Sequence, residues 1–222
     1  MGVIPDARER ILSRIRAATG GASPAKVSAV EERLRTHPLS ARPPITGDLV
    51  ARFRDNAVRL MSTIAEVPRL RDVPAAAAAY LRAYNLPLQA VCWQALQPLE
   101  WAHHGIAMEA RPARESDLVG VTGVFCAIAE TGTLVTLSGA HTPPVSSLLP
   151  ETHIAVLRTA QIVPAMEEVW QRLRYTAGEL PRAVNFISGP SRTSDIEQTL
   201  TLGAHGPYRV HIILVFEGDD RV

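Results

Sequence analysis

Glu130 stands in AIAETGTLV (residues 127–135), a carboxylate between two apolar runs, followed at once by Thr131, Gly132 and Thr133. A charge in such surroundings is costly unless it is paired or put to use. The two threonines add hydroxyls and N–H donors, and the glycine allows close backbone approach. Glu130 can serve there as a general base or a nucleophile. A turn glutamate hydrogen-bonded to local backbone fits the same letters.

The second candidate is FISGPSRTSDIEQTL (residues 186–200). It predicts a strand, a small-residue turn and a helix over 193–200. Ser194 and Glu197 have capping-box spacing, in which a serine accepts from the third helical N–H and a glutamate reaches back. Ser188, Gly189, Ser191, Arg192, Thr193 and Ser194 would then surround a helix amino terminus, whose free N–H groups and positive dipole end favour an anion. Arg192 can fork onto a carboxylate or phosphate. A capped helix carrying a solvent-facing arginine is the plainer alternative. The turn is expected at the carboxyl edge of the sheet, where open α/β folds collect ligands.

The third candidate is LGAHGPYRV (residues 202–210), in which His205 can titrate or bind an anion beside Gly206. In a strand–helix–strand unit this loop begins at the opposite sheet edge from Ser188–Arg192. Only a long excursion would join the two. The seven histidines show no helical pair beside a carboxylate, so no metal site is expected.

These stretches need elements to hold them. Leu49, Phe53, Ala57, Leu60 and Ile64 recur at steps of three and four, which predicts one helix closed by Pro68. A second helix follows Pro74 through AAAAAYLRAY, and LQAVCWQ reads as the first strand. GVFCAIAETGTLVTLSG reads as two strands meeting at Glu130-Thr131-Gly132. HIAVLRTAQIV and AVNFIS are strand regions, PAMEEVWQRLR is a helix, and RVHIILVF is a final strand whose unbroken apolar run suits a buried position. The alternation makes the fold α/β, a helix-flanked and mostly parallel sheet. Residues 1–45 read as an N-terminal helical arm with a proline-rich linker, and residues 46–222 as a single α/β domain.

Composition narrows the classes of function. The 222 residues carry 23 basic and 22 acidic side chains, so no strong field recommends nucleic acid as a partner. Hydrophobic residues make up 46%, enough for a sizeable core. The two cysteines cannot hold a four-cysteine iron–sulfur cluster, and no dinucleotide or phosphate-loop glycine motif occurs. No run is long and apolar enough to span a bilayer, and the charged first residues do not suit a signal peptide. The expectation is a soluble, cytoplasmic protein.

GVTGVFCAIAETGTLV, SSLLPETHIAV and FISGPSRTSDIEQTLTLGAHGPYRVHIILV together resemble the lactate-utilisation protein C family, the LUD-domain family, over about residues 115–216. The resemblance implies a fold like that of phosphosugar isomerases, CoA transferases and formyltetrahydrofolate cyclo-ligases. It implies one subunit of a bacterial system that oxidises L-lactate to pyruvate. Some CoA transferases place a nucleophilic glutamate in a Glu-x-Gly turn, which Glu130-Thr131-Gly132 is similar to in outline. No redox cofactor is expected in this chain; iron–sulfur centres are expected on partner subunits. This chain would be a required accessory subunit with a pocket for a small organic anion, or an enzyme on a small organic acid, phosphate or CoA ester with Glu130 as base or nucleophile.

Overall fold

The computed structural model describes residues 6–20, 23–38, 44–176, 180–193, 201–203 and 205–216. The chain divides into two compact units, residues 1–43 and 44–222. In the first, α1 (Ala7–Thr19) ends on Gly20 in the left-handed conformation, φ 69°. The second helix, α2 (Pro24–Thr36), starts with Ser23 accepting from the Lys26 N–H and with proline in its first turn. Neither helix buries a residue.

The second unit begins with α3 (Leu49–Arg59), capped by Asp48, which accepts from Val50 N–H at 2.8 Å and Ala51 N–H at 3.3 Å. Next come β1 (Thr63–Val67), α4 (Val73–Ala83), β2 (Gln89–Cys92), β3 (Ala107–Ala110) and β4 (Val119–Gly123). A hairpin of β5 (Cys126–Ile128) and β6 (Thr133–Leu137) leads to the short α5 (Val145–Leu148), then β7 (Thr152–Arg158) and β8 (Ile162–Val163). The last elements are α6 (Met166–Thr176), β9 (Val184–Ile187), β10 (Arg192–Thr193), β11 (Thr201–Leu202) and β12 (Arg209–Val215).

Six strands form one all-parallel sheet in the order β1-β12-β7-β4-β2-β3. The α/β reading is therefore correct, and the apolar run of β12 lies between β1 and β7 as its composition requires. Alternate side chains serve opposite faces. Ile213 and Val215 join Ile154, Val156 and the α4 residues Ala77 and Leu81 in one core. Val210, Ile212 and Leu214 join Ala155, Leu157 and the α3 residues Phe53 and Ala57 in another.

That second core also takes in Ala127, Leu134, Ile162 and Ile187 from a smaller mixed sheet, β8-β5-β6-β9. Its opposite face, Cys126, Ile128 and Val135, is covered by Val169 of α6. The layers thus run α4, large sheet, α3 with small sheet, α6. Each cysteine is buried, and burial pushes both thiols up to about 11. They act as small core residues rather than reactive thiolates.

Two histidines lie inside. His153 Nε2 is 2.8 Å from Thr122 Oγ1, and His211 Nδ1 is 2.9 Å from Thr63 Oγ1 while its ring stacks on Tyr80 at 3.8 Å. Burial holds each well below the ordinary 6.5, at about 4.

Three expectations need correction. The stripe from Leu49 to Ile64 is not one helix: α3 stops at Arg59, and Ile64 belongs to β1, which replaces LQAVCWQ as the first strand. The stop is a Schellman turn, Ser62 N–H donating to Ala57 O and Met61 N–H to Val58 O, with Met61 at φ 69° where glycine is usual. Second, Thr193 opens no helix; it pairs with Thr201 in the two-stranded β10–β11 ribbon. Residues 194–200, including Ser194 and the capping-box glutamate, lie outside the described residues. Third, the strand leading into SGPSR belongs to the small sheet, so the turn does not sit at the carboxyl edge of the parallel sheet.

Candidate functional site

The turn Glu130-Thr131-Gly132 joins β5 to β6 and rests against the last turns of α3. Gly132 N–H closes it onto Ile128 O at 2.9 Å. From the helix, Asn56 Nδ2 donates to Ala129 O at 2.8 Å and Glu130 O at 2.9 Å. Gly132, at φ +68°, comes so near that an added Cβ would stand 2.4 Å from Ala57 N. No other residue fits there without moving the helix or the turn.

Gly189 repeats the device at the end of the same helix. Its φ is +79°, and an added Cβ would stand 2.2 Å from Leu60 O. Between the two contacts runs a short chain of hydroxyls: Thr131 Oγ1 to Thr133 Oγ1 at 2.7 Å, then Thr133 Oγ1 to Ser188 Oγ at 2.8 Å. The ETGT and SGPSR stretches, 55 residues apart at that bond, thus meet at one place.

The GAHGP loop meets them too, contrary to the expectation of opposite edges. Ser191 N–H donates to Pro207 O and Gly203 N–H to Ser191 O, both at 2.9 Å. His205 N–H reaches Ser191 Oγ at 3.4 Å, and Gly206 lies against the Ser191 side chain. The β10–β11 ribbon is the cause, since pairing Arg192 with Leu202 folds the chain straight back. Leu60 and Pro207 precede β1 and β12, so this junction lies at the amino edge of the large sheet.

Glu130 projects from the junction into an open cleft of about 430 Å³ lined by Thr46, Arg52, Asp55, Asn56, Arg59 and Glu130 itself. Arg192 is not part of that lining: its guanidinium is exposed and reaches Met61 Sδ at 3.7 Å. The sequence reading missed Arg52, Asp55, Asn56 and Arg59. They occupy one face of α3 at steps of three and four, opposite the buried Phe53 and Ala57. A polar helix face reads as solvated surface, and only its meeting with a distant hairpin turn makes it a wall. Among the described residues no group of three or more His, Cys, Asp or Glu side chains is placed to hold a metal ion, and no helix is long and apolar enough to cross a membrane.

Known proteins resemble this chain in fold and in sequence. A solved DUF162 family protein from Deinococcus radiodurans superposes with a TM-score of 0.57 at 23% identity, covering 78% of this chain and 99% of that one, a likeness of fold. Lactate utilization protein C of Halalkalibacterium halodurans is 41% identical over 118 residues, 52% of this chain and 51% of the relative. The protein of the same name from Bacillus subtilis is 38% identical over 100 residues, 44% and 42% of the two chains. Such alignments span about half the length of the curated relatives. The family model described as the LUD domain matches residues 49–215, from the start of α3 to the end of β12, and the chain belongs to the LUD domain family.

Proposed function

We propose that this protein is an accessory component of L-lactate utilisation that binds a small organic anion where the β5–β6 turn meets α3. Oxidation would take place on partner subunits carrying iron–sulfur centres. The observation that supports a binding role is the anchoring of the turn. Asn56 and the Gly132 contact fix the backbone of the turn against α3, which brings Glu130 to the same cleft as Arg52 and Arg59. The hydroxyls of Thr131, Thr133 and Ser188 bond to one another and brace the turn; they are not part of the cleft lining. Relatives that carry the name lactate utilization protein C support the metabolic setting.

Deleting the gene in its host tests this reading. Growth on L-lactate as sole carbon source should stop while growth on pyruvate continues, and a plasmid copy should restore it. Undiminished growth on lactate would remove the proposed role.

A second reading, in which Glu130 is a catalytic base or nucleophile, draws support from its carboxylate, which has no hydrogen-bond or ion-pair partner among the described residues. Glu130→Gln keeps the size and removes the base. An accessory binding role expects the complemented strain to retain most of its lactate oxidation. A fall of about a hundredfold or more would assign Glu130 to the chemistry instead.

A further inference from the structure

The cleft beside Glu130 is larger than a three-carbon acid requires. Its volume is about 430 Å³, and it is open to solvent rather than enclosed. Every lining residue is polar or charged, with no aromatic face to stack a base. The ligand it suits is therefore extended and polar.

Charge placement narrows the class. Arg52 and Arg59 share one face of α3 at seven residues' separation, about 10 Å along the axis. Asp55 lies between them on the helix, and Glu130 faces them from the turn. The spacings 52–55 and 55–59 are those at which helical ion pairs form. Yet the side chains of Arg52, Asp55, Arg59 and Glu130 make no ion pair or hydrogen bond among the described residues. Two guanidinium groups are thus open on the helical face, with the acceptor-only carboxylate of Asp55 between them and that of Glu130 on the facing turn.

We propose that the cleft takes a doubly anionic, hydroxylated ligand, one anionic end on Arg52 and the other on Arg59, with its central hydroxyls donating to Asp55 and Glu130. This rests on the reading that the cleft holds an anion and adds what kind. A single-ended acid such as lactate leaves one guanidinium unmatched. An anion centred between the arginines would meet Asp55 and Glu130 and be repelled.

The anionic ends can be phosphates or carboxylates, and titration calorimetry on the full chain separates them. Fructose 1,6-bisphosphate is compared with fructose 6-phosphate, glucarate with gluconate, and L-lactate is run alongside. At least one double-ended probe should bind about tenfold or more tighter than its single-ended partner. Arg52→Ala and Arg59→Ala, both at exposed positions, should each bring it down to the level of that partner. Whichever pair shows the gap identifies the anionic group.

Equal binding of double- and single-ended probes overturns the proposal, as does a double-ended preference that survives both arginine substitutions. If lactate binds and no double-ended probe does, this proposal fails and the small-anion reading stands. If no anion binds, both fail.

Discussion

Replacing Gly132 by alanine is expected to destabilise the protein by about 3 kcal/mol, the sum of a left-handed backbone penalty and the overpacking of a tight contact. The new Cβ would stand 2.4 Å from Ala57 N, 2.6 Å from Asn56 C and 2.9 Å from Ala57 Cα, all of them backbone atoms of α3. A side chain could swing aside, but a hydrogen-bonded helix turn cannot. The hairpin must lift, and with it go the two bonds from Asn56 to Ala129 and Glu130. For a domain of this size the loss lowers the melting temperature by about 10 °C. Gly47→Ala is the control, because Gly47 has φ +90° and nothing within 4 Å of an added Cβ. It reports backbone strain without collision. A Gly132→Ala melting temperature no lower than that of Gly47→Ala would show that the turn does not bear on the helix.

Acid should weaken the protein well before the carboxylates titrate. His153 and His211 are held at about 4, against an ordinary 6.5, by burial. His153 Nδ1 and His211 Nε2 are buried and have no hydrogen-bond partner among the described residues, so a protonated ring would bury an unmet donor. In the unfolded chain both rings take up protons near 6.5, whereas in the folded chain they do so only near 4. The unfolded state thus binds more protons between these values, and stability rises with pH there. It is fully present above 6.5 and is lost as pH falls towards 4, by about 3 kcal/mol for each histidine. Urea unfolding at pH 7, 6 and 5 should show midpoints falling at each step. His153→Gln should remove about half of that slope by deleting one titrating group. A midpoint unchanged between pH 7 and 5 would mean that the rings are not neutral and enclosed.

The sheet-forming runs were legible because they are short, nearly continuous apolar runs rich in β-branched residues. RVHIILVF, HIAVLR and the paired runs around ETG are strands, and the α/β class follows from their alternation with α4 and α6. The end of α3 was not legible. Leu60 and Ile64 continue the helical stripe by chance, and the Schellman turn that stops the helix puts a methionine where a glycine would have marked it. Nor could the letters show that β9 joins a second sheet, since its partner β6 is chosen by a contact about 50 residues away. The same holds for β10: Arg192 and Thr193 read as a helix entry until Leu202 and Thr201 are placed opposite them. The candidate site was half legible. Glu130, Thr131, Thr133, Ser188 and Gly189 carry a local signal in small and hydroxyl-bearing residues, and they do converge. Arg52 and Arg59 carry none, because nothing in a helix face names what it will oppose.

The strand order also constrains how the protein is made. The edge strand β1 has a single partner in the large sheet, β12, and the paired Thr63 and His211 are 148 residues apart. On the ribosome β1 emerges early and stays unpaired until almost all of the described chain has been synthesised. Strands β7 and β4 can pair before then, but the sheet cannot join β7 to β1 until β12 slides between them. The nascent chain therefore carries two open, apolar-backed strand edges through most of translation. A chain cut short in that interval would leave both edges unpaired, and edge-to-edge aggregation is the expected outcome.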